Sequence, residues 1–153
     1  MQIDEQIVKF RWLDPALVPD LQLPRYETAG SSGMDVEAFL DSSLSLDSGE
    51  MSLIPTGFAV QLPEGYELQV RPRSGLAVKH GITLINSPGT IDSDYRGEIK
   101  IGLINLGKKE YTVQRGDRIA QLVLAPVSRA KIMIVDELEK TERNTGGFGH
   151  TGD

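Results

Sequence analysis

Met51-Ser52-Leu53-Ile54-Pro55-Thr56-Gly57-Phe58-Ala59-Val60-Gln61-Leu62-Pro63-Glu64-Gly65-Tyr66-Glu67-Leu68-Gln69-Val70-Arg71 carries short runs of β-forming residues, Met51 to Ile54, Gly57 to Leu62 and Tyr66 to Arg71, cut apart by Pro and Gly. Runs this short, bounded by turn residues, read as strands rather than helices. Outward from this stretch the pattern repeats at Glu98 to Leu106, Arg118 to Val127 and Lys131 to Val135. A spacing of about ten residues belongs to a sandwich, jelly roll or barrel. Ile7 to Trp12 reads as an N-terminal strand, Pro15 and Pro19 as a loop, and the polar stretch Asp41 to Glu50 as a surface loop. Helix is expected only at Ser74 to His80, with a Ser capping its start and Gly81 stopping it. The chain therefore reads as all-β with one short helix.

Composition narrows the chemistry. With 153 residues, 39% hydrophobic and 25% charged, the chain builds one globular core, and it shows neither an internal repeat nor an interdomain linker. Cys is absent, which excludes disulfides, iron–sulfur clusters, thiol nucleophiles and thiolate zinc sites. His80 and His150 are the only imidazoles, so a metal here is expected to be a hard, oxygen-bound ion. No apolar run reaches the roughly 20 residues of a membrane helix. The start carries Asp4, Glu5 and Lys9 and no signal-peptide core, so a cytoplasmic location without membrane contact is expected. A net charge of −6 argues against a nucleic-acid surface. Arg71, Arg73, Lys79, Arg96, Arg115, Arg118 and Arg143 sit near turns and are candidates for a local anion pocket on an acidic molecule.

Five stretches hold the residues with chemistry in them. Asn86-Ser87-Pro88-Gly89-Thr90-Ile91-Asp92-Ser93-Asp94-Tyr95-Arg96-Gly97 lies between two apolar runs and suits a tight hairpin whose backbone approaches a ligand. There Asp92, beside Ile91, is expected to be partly buried and to serve as general base, with Tyr95 offering a flat face. Asp and Gly are also the ordinary residues of a solvated turn. Arg71-Pro72-Arg73-Ser74-Gly75 ends a strand and opens the helix, an arrangement that serves a phosphate and a plain helix cap equally well. Ala29-Gly30-Ser31-Ser32-Gly33-Met34-Asp35 is a Gly/Ser loop without the Lys of a P-loop. Arg115-Gly116-Asp117-Arg118-Ile119-Ala120-Gln121 feeds a core strand and sets one amide among apolar neighbours, where it needs a ligand or backbone partner. Arg143-Asn144-Thr145-Gly146-Gly147-Phe148-Gly149-His150-Thr151-Gly152 combines cation, glycines, aromatic ring and hydroxyl, and lacks the apolar periodicity that docks a segment on a core.

In order and spacing these stretches resemble the five motifs of the trimeric dUTP diphosphatases (dUTPases), over about Leu23 to Thr151. The resemblance rests most on Pro72-Arg73-Ser74-Gly75-Leu76-Ala77, Gly89-Thr90-Ile91-Asp92-Ser93-Asp94-Tyr95-Arg96-Gly97, Gly116-Asp117-Arg118-Ile119-Ala120-Gln121 and Gly146-Gly147-Phe148-Gly149. It implies a jelly-roll-like distorted β-barrel over residues 1–140, a flexible arm over 141–153, and a homotrimer whose active sites are shared between chains. It also implies hydrolysis of dUTP to dUMP, for thymidylate synthesis, and pyrophosphate. Asn86, Thr90, Ile91 and Asp92 would read uracil, Lys100 would line the same pocket, and Tyr95 would pack under the deoxyribose. Arg73, Ser74, Gly75 and Gln121 would meet the phosphate chain. Arg143 would meet the γ-phosphate and Phe148 cover the base, with Gly149, His150 and Thr151 among the tail's substrate contacts. Asp92 would deprotonate the attacking water, and Mg²⁺ would ride on the phosphates with Asp35 reaching it through water and no direct protein ligand. Asn144 stands where the family often has Gly, and His150 where it often has Ser. A related dCTP deaminase is the nearest rival, but Asp94-Tyr95 is present here and Leu76 to His80 holds no carboxylate. A non-catalytic nucleotide-binding β module is the other alternative.

Overall fold

The computed structural model describes residues 5–147. Strands follow in the order β1 (Lys9–Trp12), β2 (Arg25–Tyr26), β3 (Met34–Glu37), β4 (Leu44–Leu46), β5 (Met51–Pro55), β6 (Phe58–Gln61), β7 (Tyr66–Arg71), β8 (Ile82–Leu84), β9 (Gly89–Ile91), β10 (Lys100–Asn105), β11 (Tyr111–Val113) and β12 (Arg118–Pro126). One α-helix, α1 (Ser74–His80), separates β7 from β8, and a 3-10 turn spans Pro15–Leu17. The largest sheet has five strands in the order β2-β3-β12-β7-β9; β5-β10-β8, β1-β6 and β11-β4 form the others. The sheets do not close into a strict barrel, and the architecture is the expected all-β distorted jelly roll.

Alternation of side chains explains why these runs are strands. In β10, Ile101, Leu103 and Asn105 are buried while Gly102 and Ile104 are only partly covered. In β7, Leu68 and Val70 point to the core between less buried neighbours. Ile54, Ile101, Leu103, Leu68, Leu122, Val36 and Phe58 are nearly or wholly shielded from solvent and join one core cluster. Phe10 and Trp12 fasten β1 to that core through edge-to-face packing on Phe58, with ring centroids 5.6 and 6.0 Å away. Strand β12 lies between β3 and β7, and its register sets Gln121 opposite Asp35 on one side and Arg71 on the other.

Four local expectations change. The run Lys131 to Val135 forms no strand: Ile132, Met133 and Ile134 are 88, 74 and 98% exposed, with no strand of the described residues to pair with. Asp41 to Glu50 is not all loop, because Leu44 and Leu46 supply the alternation for β4, which pairs with β11. The stretch Asn86 to Gly97 is not a simple hairpin between its neighbours, since β8 pairs with β10 whereas β9 pairs with β7. Finally, Arg73 rather than Ser74 occupies the N-cap of α1, with extended backbone and no side-chain cap. The helix stops at Gly81 as expected, with φ 73° and its N–H on the Ala77 carbonyl; a Cβ there would approach Gly107 Cα to 2.6 Å. The loop at Pro15 and Pro19 winds into the 3-10 turn behind the Asp14 side chain, which accepts from the Ala16 N–H.

Asn105 is fully buried at the end of β10 and ties β4 to the loop that follows β10. Its Nδ2 donates to the carbonyls of Leu46 and Lys109, and its Oδ1 accepts from the Gly107 N–H, each at 2.8 Å. Asn105→Leu leaves those backbone groups unpaired and is expected to lower unfolding free energy by about 2–4 kcal/mol. Urea unfolding at one fixed protein concentration checks this; a loss within about 0.5 kcal/mol, the range of a neutral surface change, would contradict it.

Candidate active site

Two groups of candidate residues emerge, one at each end of β7. At the first, Asp35 on β3 faces two guanidiniums: Arg73 Nε lies 3.2 Å from its Oδ1 and Arg118 Nη1 3.3 Å from its Oδ2. Arg73 Nη1 also donates to the Arg118 carbonyl at 3.0 Å, and Arg118 reaches Glu27 at 3.9 Å. One half-buried carboxylate thus fixes two cations, beside the exposed Ser74 and Gly75 of the first helical turn. Gln121 completes the group. Its Nε2 donates to the Pro72 carbonyl at 3.0 Å, which supplies the backbone partner that its amide needs. Its Oε1 fills the space beside Gly33, where a Cβ would come within 3.1 Å of Gln121 Cδ and closer to Oε1. The three sequence stretches containing Asp35, Arg73 and Gln121 therefore converge because β12 pairs with both β3 and β7.

At the second group, Thr90, Ile91, Asp92, Tyr95, Glu98, Ile99 and Lys100 line, with Leu53, a shallow depression of about 300 Å³. Ile91 is buried and anchors the end of β9, whereas Asp92 is exposed rather than partly buried as expected. The reason is that Asp92 follows the last paired residue of an edge strand, so nothing among the described residues covers it. Its carboxylate has no hydrogen-bond or ion-pair partner among the described residues, while its carbonyl accepts from the Tyr95 N–H at 3.1 Å. Tyr95 Oη donates to the Glu98 carbonyl at 3.0 Å. The Glu98 carboxylate in turn accepts from the Gly57 N–H at 3.0 Å and lies 3.6 Å from Lys100 Nζ. Asn86 is exposed on the turn before β9, its side chain against Gly89 and Gly102.

The groups do not meet. Ile91 stands opposite Leu68 and Gly89 opposite Val70, so Asp92 falls level with Glu67, and it shares a second depression with Glu64, Gly65, Tyr66 and Glu67. From Glu67 to Arg71 is about 13 Å of strand, and Arg73 lies farther on. Neither of these two depressions beside Asp92 includes Arg73.

Several expected cations belong elsewhere. Arg115 is a strap: its guanidinium donates to Asp20, Leu17 and Leu40 and lies 5.1 Å above the Phe39 ring. That hydrogen bond holds the Asp20 carboxyl below the usual carboxylate range and raises Arg115 in return. Arg71 is held by Gln69, and Arg96 donates to the carbonyls of Ser93 and Tyr95 in its own loop. Arg143 curls onto the tail, its Nε donating to the Gly146 carbonyl at 2.8 Å, and Asn144 adopts the left-handed φ of 47°. Phe148, Gly149, His150 and Thr151 lie outside the described residues. Glu98 was missed as a site residue by the sequence alone, and Arg118 was only one of seven cations near turns, with no partner assigned to it. Only strand register puts Arg118 against Asp35, and only the fold of the 92–98 loop puts Glu98 between Tyr95 and Lys100.

A family model for dUTPase matches residues 20–152. The deoxyuridine 5'-triphosphate nucleotidohydrolase of Desulfotalea psychrophila is 60% identical over 148 residues, covering 97% of this chain and 99% of its own. That of Finegoldia magna is 57% identical over 130 residues, covering 85% and 91%. Among solved structures, the dUTPase of Staphylococcus bacteriophage 80alpha with dUPNHPP superposes with a TM-score of 0.83 at 24% identity, covering 96% of this chain and 99% of that one. A dUTPase variant from phage phi11 of S. aureus, described with a structural Mg(II) ion, gives a TM-score of 0.75 at 24% identity, covering 88% and 99%. At that identity the structural likeness speaks for the fold.

Gly33→Ala tests how Gln121 is placed. The backbone at Gly33 is not left-handed, and the added methyl meets the movable end of one side chain. Stability is expected to change by less than about 1 kcal/mol, while the Gln121 side-chain amide shifts in the NMR spectrum and its bond to Pro72 is lost. An unmoved amide would contradict the packing described.

Proposed function

The chain belongs to the dUTPase family and is a dUTP diphosphatase, and we propose that it cleaves dUTP to dUMP and pyrophosphate at sites shared between three copies. The observation that carries this reading is the distance between Asp92 and the Arg73–Gln121 group within one chain. A single triphosphate cannot be gripped by Arg73 and attacked beside Asp92 unless a second copy supplies one of them. The apolar run Ile132 to Val135, exposed in the single chain, gives a further reason for copies to associate.

In this reading the depression at Thr90, Ile91 and Lys100 receives uracil and reads it with Asn86 and backbone groups. Cytosine reverses the donor and acceptor pattern, and a site left with unpaired polar groups rejects such an analogue by about 10⁴ to 10⁵. Tyr95 packs under the deoxyribose and leaves no room for a 2′-hydroxyl. Arg73, Ser74, Gly75 and Gln121 of another copy hold the phosphates, with Asp35 keeping the Arg73 guanidinium in place. Asp92 takes a proton from water as that oxygen bonds to the α-phosphorus; the bond from this phosphorus to the bridging oxygen breaks, and pyrophosphate leaves with the electron pair. The exposed, unpartnered carboxylate of Asp92 is suited to hold that water. Arg143 and Phe148 of the tail close over the γ-phosphate and the base, with Gly149, His150 and Thr151 beside them.

Mg²⁺ suits the donor set as an ion carried by the substrate. The described residues contain no group of three or more carboxylates or imidazoles to cage it, and Asp35, engaged by two arginines, would meet it through water. When bound, the ion neutralises charge on the phosphate chain.

Asp92→Asn is expected to slow pyrophosphate release by about 10² to 10⁴, with affinity for a non-hydrolysable dUTP analogue largely kept in calorimetry; an unchanged rate would remove Asp92 as the base. Deleting residues 143–153 is expected to abolish efficient hydrolysis while the oligomer persists in light scattering. Unchanged kinetics would take the tail out of the mechanism.

A further inference from the structure

Gly97 is not among the substrate contacts that the sequence suggests, yet the hydroxyl edge of the Tyr95 ring lies against it. A Cβ built at position 97 would sit 2.6 Å from Tyr95 Cζ and 3.0 Å from Cε2, and closer still to Oη. The backbone there is not left-handed, so alanine would be accepted on conformational grounds, and Tyr95 supplies the nearest atoms that it would strike. The hydroxyl end of the ring is fixed by its bond to the Glu98 carbonyl, 3.0 Å away. The near end is fixed by the Tyr95 N–H on the Asp92 carbonyl at 3.1 Å. Glu98 is itself pinned, through the Gly57 N–H at 3.0 Å and Lys100 Nζ at 3.6 Å. Tyr95, a residue 47% exposed on a loop beyond an edge strand, is thus held at both ends and rests on bare backbone.

We propose that Gly97 is a specificity-positioning residue: by lacking a side chain it lets the hydroxyl edge of Tyr95 close against the loop, at the height that admits a deoxyribose and refuses a 2′-hydroxyl. The inference rests on the reading above that Tyr95 packs under the sugar. A methyl at position 97 lifts the ring and strains or breaks the bond from Oη to Glu98. Lifting changes first the depression that Tyr95 lines with Thr90, Ile91 and Lys100, where the reading above places the nucleoside. Tyr95→Phe removes the Oη bond but leaves the ring seated on Gly97, so it separates the tether from the seat.

The test measures kcat/KM for dUTP and for UTP in the wild type, Gly97→Ala, Tyr95→Ala and Tyr95→Phe, with thermal unfolding run on each. The expected result is that Gly97→Ala and Tyr95→Ala each lower the preference for dUTP over UTP by about tenfold or more, the scale of a small steric mismatch in a pocket. Tyr95→Phe is expected to lower it less than either. A purely structural role for Gly97 would depress both substrates together and leave the ratio unchanged. If Tyr95→Ala relaxes the ratio and Gly97→Ala does not, the positioning role of Gly97 is overturned alone. If Tyr95→Ala leaves the ratio unchanged, the sugar-packing reading of Tyr95 falls, and the role of Gly97 falls with it.

Discussion

Antiparallel pairing of β7 with β9, with Leu68 opposite Ile91 and Val70 opposite Gly89, decides how far apart Asp92 and Arg73 stand. Because the two strands run in opposite directions, the residue that follows β9 and the residue that follows β7 are carried apart. Asp92 goes to one end and Arg73 to the other, at a separation fixed by the rise of the strand itself. No rotation of side chains closes such a gap. Shifting the register by one residue would turn Ile91 out of the core and so is strongly disfavoured. In the proposed mechanism, which needs both residues, the site would be assembled from more than one chain, and oligomerisation would become a condition for activity.

At each end the structure spends its polar contacts on orientation. Asp35 holds Arg73 and Arg118, and Glu98 holds Tyr95 through its carbonyl and Lys100 through its carboxylate. These pairs are partly exposed, and exposed ion pairs contribute about 0–1 kcal/mol to folding. Their effect lies in limiting where long side chains point. Arg25, Arg73 and Arg118 against Asp35 and Glu27 also leave local positive charge on a chain whose net charge is −6. An anionic substrate is thus attracted at one place and repelled by the general surface.

Strands with strict alternation and flanking Pro or Gly were readable from the sequence, as were α1 with its Gly81 stop and the short runs at β7 and β12. Elements defined by partners were not. The alternation at Leu44 and Leu46 is too brief to outweigh the polar residues around it, and the Lys131 to Val135 run has strand composition without a strand beside it in the single chain. The β8–β9 segment looked like a hairpin because its composition suits a turn, but its strands belong to different sheets. The same division applies to the site. Asp92, Tyr95, Arg73 and Gln121 stand out by residue type and local spacing. Arg118 and Glu98 act on them through contacts that depend on register and loop path. The exposure of Asp92 depends on the absence of a covering strand, and spacing carries no trace of that.

Subunit mixing tests the central claim that the site is divided between chains. Asp92→Asn and Arg73→Ala proteins, each inactive as pure oligomers, are unfolded together in equal amounts, refolded, and assayed for pyrophosphate release from dUTP. If Asp92 and Arg73 of one site come from different copies, random reassembly restores an intact pair at about a quarter of the sites, and activity returns to about a quarter of wild type. If mixtures that demonstrably contain both chains in one oligomer stay inactive at every ratio, both residues act from the same chain and the account is wrong.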